Sequence, residues 1–139
     1  LAVVIAQDES RHRGEVVFAV EGGLPAGDAW KGTTARARAD AVFADLRVWD
    51  TEGNTGVLLY LLLADRRIEV VADRGLATVP PERWRAVCTL VEARMAAGEP
   101  EAAVLAGLQA IGALLAEACP RPAGGPDANE LLDHPRVLR

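Results

Sequence analysis

Dense, short apolar runs and longer stretches with an apolar residue every third or fourth position divide this chain between them. The densest run is Val57-Leu58-Leu59-Tyr60-Leu61-Leu62-Leu63, entered from the polar loop Trp49-Asp50-Thr51-Glu52-Gly53-Asn54-Thr55-Gly56 and left through Ala64-Asp65-Arg66-Arg67. It is far shorter than the roughly 20 residues a helix needs to cross a bilayer. It therefore predicts a strand buried on both faces, in the middle of a sheet. Glu15-Val16-Val17-Phe18-Ala19-Val20 predicts an earlier strand, broken by Glu21-Gly22-Gly23-Leu24-Pro25. Ile68-Glu69-Val70-Val71-Ala72 predicts a third, with Ile68, Val70 and Ala72 on one face and an expected place nearer a sheet edge. The four residues before it leave room only for a tight hairpin, so the third strand should run antiparallel to the central one. Leu1 to about Ser10 reads as a short helix, ended by basic residues and Gly14.

The helical stretches follow the 3.6-residue period. Thr33 or Thr34 is placed to cap a helix, after which Ala35, Ala39, Val42, Leu46 and Trp49 form one stripe, joined by Phe43. Trp49 closes that stripe and is expected in the core, with Arg36, Arg38, Asp40, Asp45 and Arg47 forming a solvated face. Pro81 near N1 and Glu82 in the first turn start the next helix, with a stripe of Trp84, Val87, Cys88, Val91 and Met95, ended by Gly98. A last long helix from Glu99-Pro100-Glu101 carries Val104, Leu108, Ile111, Leu115 and Ala118. Its small residues Ala102, Ala106, Ala110 and Ala113 offer close approach to the sheet, a partner helix or a second copy. The element order predicts an α/β layered sandwich, a mixed central β-sheet flanked by helices on both faces. A right-handed first crossover makes the first two strands parallel. Residues 1–120 are expected to form one domain, and 121–139 an extended tail pinned by Leu131, Leu132 and Val137.

Composition narrows the function. A chain of 139 residues, half of them hydrophobic and with net charge −5, is globular rather than disordered. Lys31 is the only lysine and the arginines are scattered among acids, which excludes the basic surface nucleic-acid binding needs. Cys88 and Cys119 fall on apolar helix faces as small hydrophobes, and no CxxC or Cys/His cluster suggests zinc. Gly22-Gly23 fits neither phosphate-loop pattern. The sequence opens on Leu1 without a methionine, so a preceding segment is expected, and a signal peptide or membrane anchor would lie there.

Candidate chemistry lies where the polar loops meet. With Asp65 and Arg66 at the centre of the hairpin, residues whose numbers sum to 131 face each other, so Val57 should oppose Arg74. Asn54 and Thr55 then lie near Asp73, and a parallel first strand brings Glu15 to the same rim. Glu15, Asp50, Glu52, Asn54 and Asp73 gather there, with Glu21, Asp65 and Arg66 at the opposite edge. Clustered oxygens suit a hard cation, calcium above all. Arg74 offers the other way to balance the charge, an ion-pair network without metal. The loop is not an EF-hand. No nucleophile set is present: Ser10 is the sole serine, and His12 and His134 sit near the two ends. Any enzyme chemistry left would be metal-assisted hydrolysis at the same rim.

Four segments in this order, Gly14-Glu15-Val16-Val17-Phe18-Ala19-Val20-Glu21, Leu46-Arg47-Val48-Trp49-Asp50-Thr51-Glu52, Asn54-Thr55-Gly56-Val57-Leu58 and Asp73-Arg74-Gly75, resemble the TPM domain family. That family includes thylakoid-lumen phosphatase-like proteins and many bacterial proteins. The likeness spans about residues 10–120 and is nearest a short bacterial branch, which the tail Asn129-Glu130-Leu131-Leu132-Asp133 also fits. It implies a sheet between helices, and either calcium binding (Ca2+) in an accessory or protein-interaction module or a metal-assisted acid phosphatase. It also implies a LemA-like protein partner and a bacterial setting, cytoplasmic or membrane-associated. Family members commonly carry Asp-Asn-Gly where this chain has Asn54-Thr55-Gly56, so one cation-binding carboxylate is missing here.

Overall fold

The computed structural model describes residues 2–6, 15–51, 53–118 and 136–137. Five strands, β1 (Ala2–Ala6), β2 (Glu15–Glu21), β3 (Gly56–Leu62), β4 (Arg67–Ala72) and β5 (Arg136–Val137), form one sheet in the order β4-β3-β2-β1-β5. β2 and β3 are parallel and every other pair is antiparallel, so the sheet is mixed. Four helices accompany it: α1 (Ala26–Lys31), α2 (Ala35–Asp45), α3 (Pro81–Ala96) and α4 (Pro100–Ala118). Every residue of β3 is buried, as a continuous apolar run between two covered faces must be. One face packs Val17, Ala19, Leu58, Tyr60 and Val71 under Ala35, Ala39 and Val42 of α2 and Leu46 just after it. The other packs Val16, Val57, Leu59 and Val70 under Val87 and Val91 of α3 and Ile111 and Leu115 of α4. The expected sandwich, with helices on both faces, is the observed architecture.

Several local expectations are corrected. The first segment is strand, not helix: β1 pairs antiparallel with β2, from Ala2 opposite Val20 to Ala6 opposite Val16. Val3, Val4 and Ile5 are β-branched and favour extended backbone, and without β1 the edge of β2 would go unpaired. Residues 7–14, His12 among them, lie outside the described residues. The tail boundary at 120/121, Cys119, Leu131, Leu132 and His134 also lie outside them, whereas Val137 pairs with Ala2. Helix α1 was not foreseen from the pattern because it buries no residue and so leaves no stripe. In α4 the buried line runs through Ala103, Gly107, Ile111 and Leu115 rather than through Val104 and Leu108. A Cβ on Gly107 would fall 2.6 Å from Val91 Cγ2, so α3 packs against α4 at a point where α4 has no side chain. By length and composition α4 would also suit a membrane span, but its Ile111 and Leu115 here are core residues of the sheet packing.

Trp49 is 45% exposed, not core. α2 stops at Asp45, and Arg47 takes a left-handed backbone (φ 56°), which reverses the stripe: Val48 turns inward and Trp49 outward. The indole lies beneath the Arg47 guanidinium, 5.3 Å away, and its Nε1–H donates to Ala44 O. At the other end of α2, Thr34 Oγ1 accepts from Ala37 N at 3.1 Å. Thr34→Ala should cost about 1 kcal/mol in urea unfolding with the fold otherwise unchanged, whereas Thr33→Ala should cost less.

Candidate functional site

The hairpin is centred one residue earlier than expected, which moves each pairing partner by two. Leu62 pairs with Arg67 and Val57 with Ala72, so facing residues sum to 129 and not 131. Residues 63–66 make a wider turn, with Arg66 left-handed at φ 52°. The correction moves Arg74 off Val57 but still brings Asp73 to the rim. Asp73 N–H donates to Gly56 O at 2.9 Å, and Gly75 N–H to Asn54 O at 2.8 Å.

Across the sheet, Glu15 pairs with Gly56, and Gly56 lies opposite Asp73. Side chains alternate along a strand. Val17, Ala19 and Val71 face α2, so Glu15 and Asp73 project to that same side. They stand two strands apart, about 10 Å between Cα atoms. Gly56 between them leaves the room that the Val48 carbonyl fills, since a Cβ there would fall on Val48 O. Gly75 is held in the same way against the carbonyls of Gly53 and Asn54. The two glycines let three chain segments meet at backbone distance, and a main-chain oxygen thus sits between two carboxylates.

Glu15 is only 5% exposed. Asp73 Oδ1 accepts from Arg74 N at 2.7 Å and starts the short 3-10 turn Arg74–Leu76. Its Oδ2 is shielded from solvent and has no hydrogen-bond partner among the described residues. Asn54 adopts the left-handed backbone (φ 54°) that asparagine tolerates. Thr51 Oγ1 accepts from Thr55 N at 2.9 Å and stiffens the loop. Asp50, its side chain about half exposed, pairs with Arg47 at 3.0 Å. Glu52 lies outside the described residues. Among the described residues no three His, Cys, Asp or Glu side chains are placed to hold one metal ion. The rim therefore unites Glu15, Asn54 and Asp73, while Asp50 turns to its own arginine. Arg74 makes no ion pair among the described residues.

At the opposite rim lies a network that the sequence reading missed. Glu21, 8% exposed, accepts two bonds from Arg38, each 2.8 Å, and one from the Tyr60 hydroxyl at 2.7 Å. The Arg38 fork holds the Glu21 carboxyl below the usual range against the opposing effect of burial, with Tyr60 adding to the lowering. Burial and the adjacent carboxylate push the Tyr60 hydroxyl well up, so it stays a neutral donor. Arg38 was assigned to the solvated face of α2, yet its position three after Ala35 and four before Val42 is on the stripe. An arginine at stripe spacing, with a charged residue ending an apolar strand, was the available signal. Cys88 is free and half-buried, with burial chiefly, and Glu69 next, pushing its thiol up to about 11. It is a poor nucleophile there.

No curated protein matches the chain. The structure resembles the NMR structure of BA42 protein from the psychrophilic bacterium Bizionia argentinensis, with TM-score 0.73 over 88% of this chain and 82% of that one. At 21% identity that likeness concerns the fold alone. A family model described as TPM domain matches residues 3–114. Since that match takes in the whole of β2 to α3 and most of α4, the chain belongs to the TPM domain family.

Proposed function

We propose that this TPM domain is an accessory or protein-interaction module that binds a divalent cation, calcium in the first place, at the rim joining β2, β3 and β4. The observation that carries the reading is Asp73 Oδ2, a carboxylate oxygen removed from water without a hydrogen bond among the described residues. Leaving such a group uncompensated is costly, and a cation would remove the cost. Glu15 and Asp73 would supply charge, and the Val48 and Asn54 carbonyls neutral oxygens, a donor set of the hard kind calcium takes. Asp50 and Glu52 flank the rim in sequence and would join only if the loop turned inward. With so few carboxylates the affinity should be modest.

Melting of metal-stripped protein with and without millimolar calcium tests this. Calcium at 100 times its dissociation constant would stabilise the fold by about 2.7 kcal/mol. Asp73→Asn keeps an oxygen for the Arg74 amide but removes the charge, and should abolish the calcium shift while leaving the metal-free melt close to the parent's. An unchanged melt of the parent protein on adding calcium would remove the cation from the account. A phosphatase working through the same ion would hydrolyse an aryl phosphate in the parent and not in Asp73→Asn. Equal turnover in both would mark the activity as a contaminant.

A further inference from the structure

A cleft of about 470 Å³ opens along the free edge of β4, between α2 and α3. The Asp73–Gly56 bond fixes which residues of β4 bond to β3, so Ile68, Val70 and Ala72 direct their N–H and C=O groups outward. At the middle of this edge Arg36 Nη1 donates to Val70 O at 2.7 Å, and Cys88 stands with Val70 in the wall of the cleft. An added peptide strand would need that carbonyl, so Arg36 stands in the way of strand addition here. A small ligand is what it can admit.

Three arginines line it, Arg36, Arg74 and Arg85, against two acids, Glu69 and Asp73. Arg36 is committed to Asp40, Glu69 and Val70 O. Arg74 and Arg85 make no ion pair or side-chain hydrogen bond among the described residues, and both border the cavity. Pro81, the first residue of the 16-residue α3, also lines it, which adds the positive end of a helix to the two guanidinium groups. Glu82, which answers that dipole, is not among the lining residues. Trp84, half-buried in the same wall, provides an aromatic face beside Arg85.

We infer that this cleft is a binding site for a small organic anion, its phosphate or carboxylate held between Arg74 and Arg85 and its planar or apolar body against Trp84. The site adjoins the proposed cation rim, with Asp73 in the lining of the cleft, but it does not require a bound cation. Titration of ¹⁵N-labelled protein in EDTA at constant ionic strength, with phenyl phosphate, benzoate and inorganic phosphate as probes, tests it. Phenyl phosphate or benzoate should move the Trp84 indole and Arg85 signals saturably, and inorganic phosphate should bind more weakly because it lacks the stacking group. Arg74→Gln and Arg85→Gln, both at exposed positions, should each weaken binding about tenfold or more, the loss of one charge-assisted contact. Arg83→Gln should leave it unchanged, because Arg83 points to Glu117 at 3.1 Å. Absence of saturation with all three probes, or equal binding in the parent and both glutamine variants, would overturn the assignment. Equal affinity for phenyl phosphate and inorganic phosphate would remove Trp84 from the site.

Discussion

Arg38→Met is expected to destabilise the protein by about 3–5 kcal/mol at neutral pH, because it strands the buried Glu21 carboxylate without its counter-charge. Tyr60→Phe removes one bond to the same oxygen and should cost less, about 1.5–3 kcal/mol. The pH dependence has a definite sign. Glu21 titrates lower in the folded protein than its ordinary 4.5 because of Arg38. Its contribution is therefore fully present above 4.5 and is lost as pH falls through the depressed folded value. In Arg38→Met only burial and the Tyr60 bond remain, and burial favours the neutral acid. The gap between parent and variant should therefore narrow on acidification. Urea unfolding at pH 7 and at pH 3.5–4 measures it. A gap under about 1 kcal/mol, or one that does not change with pH, would show that the network contributes little. The double variant Glu21→Leu/Arg38→Met should recover much of the loss, since an apolar pair leaves nothing uncompensated.

Gly56→Ala and Gly75→Ala are expected to cost about 3 kcal/mol or more each, above the usual penalty for overpacking, because the added methyl meets backbone rather than a yielding side chain. At Gly56 it would fall on Val48 O, and at Gly75 on the carbonyls of Gly53 and Asn54. Gly53→Ala is the control in the same loop: its Cβ would lie 3.4 Å from Thr55 Cγ2, an ordinary contact, and the change should be worth less than about 1 kcal/mol. Denaturant unfolding compares the three. Gly56→Ala molecules that do fold should also lose any calcium shift, as the rim can no longer close over Val48. Tolerance of alanine at both Gly56 and Gly75 would mean that the loops need not approach so closely, and the rim would lose its basis.

The two rims differ in what made them legible. Glu15 and Asp73 could be brought together from strand direction and one hairpin, and a register error of two residues did not separate them. An error of an even number keeps every side chain on its own face. Trp49 was misplaced because one left-handed residue, Arg47, turns the chain where a helical period was extrapolated. Arg38 was misplaced for a different reason. Its charge argued for solvent, and only Glu21 arriving from another strand makes its burial tolerable.

Local sequence alone decided the strand β3, the helices α2, α3 and α4, the parallel and antiparallel pairings of β2, β3 and β4, and the layered class. Each follows from apolar periodicity, capping residues and loop length, which act over a few residues. Tertiary structure alone decided that the first segment is a strand, that Glu21, Arg38 and Tyr60 form one unit, and that Arg74, Arg85 and Trp84 share a cleft. Each of these depends on which distant segment comes alongside, and a polar side chain's environment is set by that neighbour rather than by its own position in the chain.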